Sequence, residues 1–240
     1  MLLVRLNSQG VNRLKNGIII HDMDSKEKRN SVKEDYNLIA AQYGKDFGSF
    51  IEDLDVYEAF EKELSKGATI LDLGAGTGRT YAYFNEKGYS YIGLDFSSKM
   101  KDEAFKIHGK FPYIVDDMVD VKSHFDSNSV DAVFAVYSLF HLPKDDFRKV
   151  LSDVYEILKA NGVIVLSYQL GTGEGFTDEP YLGEKGKKML YMSYQTDKEM
   201  ESFLSSIGFV SIYKKEKVET DDKSINSNNV VTVFRIMRKV

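Results

Sequence analysis

The segment LDLGAGTGR concentrates residues whose types and spacing suit chemistry, because Asp72 is followed by glycines at positions 74, 76 and 78. Glycine is required where the backbone takes a positive φ angle, or where a Cβ atom would collide with a ligand lying across the turn. The dinucleotide-binding turn G-x-G-x-x-G has its third glycine where this chain has Arg79. A carboxylate just before the turn repels phosphate and attracts an ammonium group. The pattern therefore favours a nucleotide that carries an amino acid.

Two further carboxylate sites follow the next two predicted strands. Asp95 ends the segment YIGLD, five residues before Met100, and a carboxylate there accepts hydrogen bonds from both hydroxyls of a ribose. Asp116 and Asp117 precede Met118, so a carboxylate there can accept from an adenine amino group while the methionine covers the ring. We prefer Asp117, and the adjacent Asp116 is the alternative. Three strand ends thus supply three contacts for one nucleotide.

His141 is the candidate general base, because it is the only histidine at a predicted strand end on the ligand edge. The alternative is a packed histidine that hydrogen-bonds the backbone. The chain has no cysteine, so it has no thiol nucleophile, disulfide or zinc thiolate site. We predict no metal site.

Strands and helices alternate along most of the chain, which predicts a mostly parallel sheet with helices on both faces. The predicted strands are 68–73, 89–95, 112–115, 129–136, 162–168, 209–213 and 230–237. The predicted helices are 31–43, 50–65, 81–87, 98–107, 144–160 and 196–207, the last beginning with a Thr196–Glu199 capping box. The last two strands should form an antiparallel hairpin at one edge. Ligands of such doubly wound sheets lie beyond the carboxyl ends of the strands, where the motifs above fall.

These motifs resemble the class I S-adenosylmethionine-dependent methyltransferases over about residues 31–240. The resemblance implies an α/β, Rossmann-like sheet of seven strands, mostly parallel with an antiparallel last strand. It also implies S-adenosyl-L-methionine as cofactor. In that family the Asp72–Gly78 turn lies against the methionine half, the Asp95 position holds the ribose, and the Asp117 position meets the adenine.

Tyr36, Ala40 and Tyr43 are similar to a Y-x-x-x-A-x-x-Y segment that some small-molecule members of the family carry on a helix above the cofactor. The two tyrosines share one helix face, so core packing is the alternative. Residues 129–143 are similar to the family's fourth-strand segment, whose end lines the methyl-transfer site. The resemblance assigns cofactor contacts to Tyr36, Tyr43, Asp72, Gly74, Ala75, Gly76, Gly78, Asp95, Phe96, Met100, Asp117, Met118 and Tyr137.

The predicted domain organisation is an N-terminal arm at residues 1–30 and a single domain at residues 31–240. Residues 1–22 are a genuine arm, a tag remnant or an upstream translation product. Gly171, Gly173 and Gly175 indicate a hinge at one end of an insertion, residues 171–195, whose aromatic content suits a lid over a substrate or a small packed subdomain.

The composition of the chain limits the kinds of binding partner and the location that we expect. A net charge of −5 and a pI near 5.5 disfavour a nucleic-acid partner, and no apolar run is long enough to span a membrane, so we expect a cytoplasmic protein. The (D/N/S)-P-P-(Y/F) signature of amino-directed nucleic-acid methyltransferases is missing, since residues 135–138 read AVYS. We therefore predict a small-molecule methyl acceptor. The alternatives are an NAD(P)-dependent oxidoreductase and a non-catalytic S-adenosylmethionine-binding protein; the oligomeric state is left open.

Overall fold

The computed structural model describes residues 11–15, 18–21, 23–178, 189–219 and 230–240. Its helices are α1 (Ser25–Phe47), α2 (Leu54–Glu61), α3 (Arg79–Glu86), α4 (Ser98–His108), α5 (Lys144–Ile157) and α6 (Asp197–Ser206). Two short 3-10 helices span Met118–Ser123 and Leu139–His141. The strands are β1 (Val11–Lys15), β2 (Ile18–His21), β3 (Thr69–Leu73), β4 (Ser90–Asp95), β5 (Tyr113–Val115), β6 (Val130–Ala135), β7 (Leu158–Leu170), β8 (Glu174–Asp178), β9 (Met189–Gln195), β10 (Phe209–Glu219) and β11 (Val230–Lys239).

Seven strands form the central sheet in the order β5-β4-β3-β6-β7-β11-β10. The first five run parallel, with Ile70 of β3 opposite Tyr91 of β4 on one side and Ala132 of β6 on the other. β11 lies antiparallel to β7, and β10 lies antiparallel to β11. The prediction of a doubly wound, mostly parallel sheet with an antiparallel last strand and a terminal hairpin is confirmed.

The seven predicted strands form this central sheet, and four more strands extend it beyond the predicted number. β1 pairs with β2, β2 meets β8 at Ile19 and Phe176, and β8 runs antiparallel to β9. β9 joins the end of β7 through Gln169 and Tyr194, so the described residues form eleven connected strands. The pairing of β2 with β8 links segments more than 150 residues apart, which short-range periodicity does not detect.

Helices cover both faces of the central sheet, because neighbouring residues of a strand point to opposite faces. Leu71 belongs to a buried cluster with α5, while Ile70 belongs to a second cluster with α2 and α3. The α5 side chains in the first cluster are Phe147, Val150, Leu151 and Val154, at the helical spacing read from the sequence. These two layers fix the positions of the strand ends.

Several helix boundaries differ from the prediction, among them those of α2, which spans Leu54–Glu61 rather than residues 50–65, and two of the differences have a local cause. α1 begins at Ser25 rather than residue 31, because Asp24 and Glu27 form a capping box at its start. α5 ends at Ile157 rather than residue 160, because the chain enters β7 at Leu158 and Asn161 takes a φ of 63° inside that strand. The Thr196–Glu199 capping box of α6 is present as predicted. In the described part of the chain, no helix combines the length and apolar character needed to cross a bilayer.

Candidate functional site

Two neighbouring cavities lie at the carboxyl ends of the parallel strands. The first, the glycine-turn cavity, has a volume of about 70 Å³ and the second, the α1 cavity, about 250 Å³. The glycine-turn cavity is lined by Gly74, Gly76, Asp95, Phe96, Met100, Asp117, Met118, Ser138 and Leu142. The α1 cavity is lined by Asp35, Ile39, Phe47, Glu52, Arg79, Phe140, Gln169, Leu190 and Met192. Both cavities share a wall formed by Tyr36, Tyr43, Tyr137 and His141.

The glycine turn follows β3 and is built for close approach. Gly74, Gly76 and Gly78 have φ angles of 85°, 50° and 81°. A Cβ on Gly74 would lie 2.4 Å from the Ser138 Cβ, which no side chain tolerates. Gly78 has a different role, because a Cβ there would meet Phe111 at 3.0 Å within the packing beside α4. The structure therefore brings Gly74 and Gly76 to the cavity and leaves Gly78 outside its lining.

Ala75 and Asp72 lie behind the turn rather than in the cavity lining. Ala75 is buried against Gly93, where an added Cβ would come within 2.9 Å of the alanine Cβ. Asp72 accepts a hydrogen bond from the Tyr91 hydroxyl at 2.5 Å, and burial raises the pKa of its carboxyl to about 7. Near neutral pH this carboxyl therefore carries only part of a charge, which weakens the electrostatic attraction for an ammonium group inferred from sequence.

Asp95 joins the end of β4 to the glycine turn. Its two oxygens accept hydrogen bonds from the backbone N–H groups of Gly76, at 3.0 Å, and Ser97, at 2.8 Å. Burial raises the pKa of its carboxyl to about 6 in spite of these two bonds. Each carboxylate oxygen has a second lone pair. Asp95 can therefore accept two further donors from a ligand in the glycine-turn cavity.

Asp117, and not Asp116, lines the glycine-turn cavity. One Asp117 oxygen accepts from the Val119 N–H at 3.2 Å, and the other accepts from the Arg29 Nε at 2.7 Å. Asp116 turns to the His124 ring, at 2.7 Å. The Arg29 contact was missed from the sequence, because the two partners are 88 residues apart and Arg29 stands in the predicted arm.

His141 is buried in the shared wall with both ring nitrogens engaged. Its Nδ1 lies 3.1 Å from the Tyr191 carbonyl oxygen, which only accepts, so we assign the proton to Nδ1. Its Nε2 then accepts a hydrogen bond from the Tyr36 hydroxyl at 2.9 Å. Burial lowers the pKa of the imidazole to about 4, so the ring is neutral at physiological pH.

The two tyrosines of α1 face the cavities. The rings of Tyr36 and Tyr43 lie edge to face, 6.1 Å apart between centroids, and both line both cavities. They also pack on a buried cluster that includes Phe140 and Tyr191. The two interpretations of this helix face are thus compatible, since the tyrosines close the core and form the wall at once.

Tyr137 stands in the shared wall with strained backbone, its φ being 59°. Its N–H donates to Ser167 Oγ at 2.7 Å, and its hydroxyl donates to Asp53 at 2.6 Å. Lys215 and Lys217 also donate to Asp53, each at 3.2 Å. Burial raises the pKa of the Asp53 carboxyl, but these donors outweigh it and hold the pKa below its usual value. Asp53 was not predicted from the sequence, because it stands in the segment 50–65 that was predicted to be helical.

The insertion predicted at residues 171–195 contributes β8 and β9. Leu190 and Met192 of β9 line the α1 cavity, so this cavity is enclosed between α1 and β9. Phe176 and Tyr191 are buried and belong to the same cluster as the α1 residues Val32 and Ile39. The middle of the predicted insertion, residues 179–188, lies outside the described residues. Within the part that is described, no group of three or more histidine, aspartate or glutamate residues is placed to hold a metal ion.

Comparison with known proteins shows which proteins the chain is similar to. Residues 71–166 match the family described as "Methyltransferase domain". The chain is similar to the sterol 24-C-methyltransferase of Saccharomyces cerevisiae, with 25% identity over 198 residues that cover 75% of this chain and 49% of that protein. The chain thus spans about half the length of that curated relative.

Two solved structures share the fold over nearly their whole length. The Burkholderia thailandensis 1,6-didemethyltoxoflavin-N1-methyltransferase, with bound 1,6-didemethyltoxoflavin and S-adenosylhomocysteine, has a TM-score of 0.63 at 16% identity and covers 96% of this chain and 99% of its own. The [4+2]-cyclase SpnF has a TM-score of 0.69 at 13% identity and covers 94% and 99%. The architecture is that of the Rossmann-like methyltransferases. Residues 71–166 carry a methyltransferase domain, and the similarities in sequence and fold support the class I S-adenosylmethionine-dependent methyltransferase family predicted from the motifs.

Proposed function

We propose that this protein transfers a methyl group from S-adenosyl-L-methionine to a small-molecule acceptor. The observation that carries the proposal is the pair of cavities that share one wall. One is bounded by the glycine turn and by the carboxylates at two strand ends, and the other opens on the far side of Tyr36, Tyr137 and His141. Methyl transfer is an in-line displacement, so the acceptor atom must reach the methyl carbon directly, and the shared lining residues place the two cavities side by side as this requires.

The residues that line the glycine-turn cavity have the chemistry that the cofactor's groups need. Asp95 has lone pairs left for the two ribose hydroxyls, while Asp117 and Met118 stand where an adenine would need an acceptor and an apolar cover. A Cβ on Gly76 would meet nothing closer than 3.9 Å, so a side chain there would extend into space that a ligand can use. Phe96 and Met100 complete the apolar lining. Asp72, Ala75 and Gly78 support the turn from behind in this proposal.

When bound, this cofactor supplies an electrophilic methyl group and leaves as a neutral thioether. The wall residues orient the acceptor and exclude water. As the acceptor atom forms its bond to the methyl carbon, any proton it carries becomes acidic, so a weak base is sufficient. In our proposal that proton passes to the Tyr36 oxygen, while the Tyr36 hydroxyl proton passes to His141 Nε2, 2.9 Å away.

We also propose a role for the insertion, the extent of the domain and the location of the protein. The insertion at residues 171–195 covers the acceptor, which is supported by Leu190 and Met192 in the lining of the α1 cavity. Residues 31–240 act as one domain, with α1 extending it back to Ser25. We also propose a cytoplasmic location without a nucleic-acid partner, and the net charge of −5 supports the second part because it disfavours binding to phosphates.

Methyl transfer itself provides the test. The protein is incubated with methyl-labelled S-adenosylmethionine and a deproteinised metabolite extract, with the Asp95→Asn variant as control. We expect label in at least one small molecule with the wild type and much less with the variant. Cofactor binding without transfer of label to any fraction of the extract would favour the non-catalytic binding protein instead. Binding of NADH in place of the cofactor would favour the oxidoreductase.

A further inference from the structure

The α1 cavity contains one permanent positive charge. Among the described residues that line it, Arg79 is the only lysine or arginine, and His141 is neutral. Two carboxylates share the lining, those of Asp35 and Glu52. Glu52 accepts a hydrogen bond from Lys217 at 2.5 Å, so its charge is compensated inside the protein.

The Arg79 guanidinium forms no hydrogen bond or ion pair with the residues that the structure describes; its contact is with the ring of Tyr137, 5.9 Å from the centroid. Arg29 and Arg235, which are similarly or more buried, each pair with an aspartate. Asp72, whose charge also acts on Arg79, instead accepts from Tyr91 and forms no ion pair with the guanidinium. A half-buried guanidinium with five unused donors is costly unless a ligand supplies the acceptor.

We propose that Arg79 binds an anionic group, a carboxylate or phosphate, of the methyl acceptor. This inference rests on the proposed function and deepens it by naming the acceptor class. Guanidinium binds such groups through two parallel hydrogen bonds. An uncharged methyl acceptor would cover the Arg79 guanidinium without balancing its charge. The residue that removes the third glycine of the dinucleotide pattern thus selects the substrate.

The other source of a carboxylate is the cofactor's own methionine half. Arg79 lines the α1 cavity and is absent from the lining of the glycine-turn cavity, which favours the acceptor. The experiment separates the two sources by keeping the cofactor site filled. Inorganic phosphate is titrated calorimetrically into protein saturated with S-adenosylhomocysteine, using the wild type, Arg79→Gln and Arg148→Gln. Arg148 is a matched control, because it also lies over a ring, that of Phe203 at 6.0 Å, but lines neither cavity.

We expect phosphate to bind the wild type and the Arg148→Gln variant equally, and to bind Arg79→Gln at least tenfold more weakly. S-Adenosylhomocysteine should bind all three proteins with affinities within about twofold, which also shows that the variants fold. An Arg79→Lys variant should recover part of the phosphate affinity, since it keeps the charge and loses the second hydrogen bond.

Two results would overturn the inference. Weaker S-adenosylhomocysteine binding in Arg79→Gln, with phosphate binding unchanged, would assign the guanidinium to the cofactor. A cofactor-saturated wild type that does not bind phosphate would remove the anion site and leave the methyltransferase proposal intact. Failure of the wild type to bind S-adenosylhomocysteine would count against the proposed function itself.

Discussion

His141 and Tyr36 form the most specific pair in the site, since a neutral imidazole in a single tautomer accepts a hydrogen bond from a hydroxyl at the boundary of two cavities. If this pair takes the acceptor's proton, His141→Ala should lower kcat by roughly 10² while cofactor affinity stays nearly constant. Steady-state kinetics and calorimetry on the same preparations measure both. Tyr36→Phe should also lower kcat, because it removes the hydroxyl through which the proton passes to His141.

His124→Ala is the control for that experiment, because His124 contacts Asp116 and lines neither cavity. Its kcat should match the wild type. A His141→Ala variant that keeps its full rate but melts at a lower temperature would show that the ring is structural. Such a result would also remove the proton path from the mechanism.

Asp72 makes a testable contribution to pH dependence. The pKa of its buried carboxyl is raised to about 7 from 3.8, so the folded state binds more protons than the unfolded state between these values. Stability should therefore fall as pH rises through this window, and the loss should be complete above about pH 7. Asp72→Asn keeps an oxygen for the Tyr91 hydroxyl and cannot ionise, so its stability should fall less, by a difference on the order of a few kcal/mol.

Urea denaturation at pH 5, 6, 7 and 8 measures this difference. Asp95, whose pKa is raised to about 6, and His141, whose pKa is lowered to about 4, also shift stability with pH, in opposite directions. Asp95 and His141 are present in the wild type and in Asp72→Asn alike, so the difference between the two pH profiles reports on Asp72. Identical pH profiles for the wild type and Asp72→Asn would contradict the raised pKa.

Local sequence patterns predicted the residues of the glycine-turn cavity, but they did not predict the contacts that hold those residues in place. Gly74, Gly76 and Asp95 could be placed at one edge, because each follows or ends a recognisable strand. Arg29 could not be found, since its contact with Asp117 depends on how α1 folds back over the sheet. The wall residue Tyr137 was found, but the positive φ that presents its ring has no local signature in AVYS.

At the level of elements, α1 is the component that converts a sheet edge into two cavities. Its N-terminal turn is tied down by Arg29, which pairs with Asp117 at 2.7 Å and also with Asp146. Arg29→Met removes both ion pairs and leaves two carboxylates unpaired. We expect the free energy of unfolding to fall by about 1 to 3 kcal/mol, and amide hydrogen exchange in the first turns of α1 to become faster.

Lys106→Met on α4 is the control, because Lys106 pairs with Glu103 at the surface with 68% of its side chain exposed. Such a pair contributes less than about 1 kcal/mol. Chemical denaturation and hydrogen exchange on both variants test the comparison. Equal, small effects of the two substitutions would mean that Arg29 does not anchor α1.

The start of α1 shows what the sequence could have revealed. Asp24 and Glu27 stand three residues apart, as a capping box requires, so this boundary was readable. The β8–β9 pair was not, because the glycines of LGTGEGF indicate a turn or hinge just as well as a strand. Only pairing with β2 and β9 makes the segment Glu174–Asp178 a strand.

At the scale of the whole molecule, the fold limits the chemistry without deciding it. A [4+2]-cyclase shares this architecture with a TM-score of 0.69, so the sheet alone does not establish methyl transfer. The parallel arrangement of the central strands could be predicted from the alternation of strands and helices, whereas the α1 cavity depends on β9 and α1 meeting across the sheet edge. Function therefore has to be tested at the cavities.

Cofactor binding in the glycine-turn cavity is tested most directly by a calorimetric titration of S-adenosylhomocysteine, with NADH as the comparison ligand, into the wild type and Asp95→Asn. We predict one binding event with S-adenosylhomocysteine and none with NADH. We also predict that Asp95→Asn weakens binding by about 2 kcal/mol, because a charged acceptor for two ribose hydroxyls is lost. Binding of NADH with comparable affinity, or an Asp95→Asn variant that binds S-adenosylhomocysteine as tightly as the wild type, would contradict this assignment of the cofactor site.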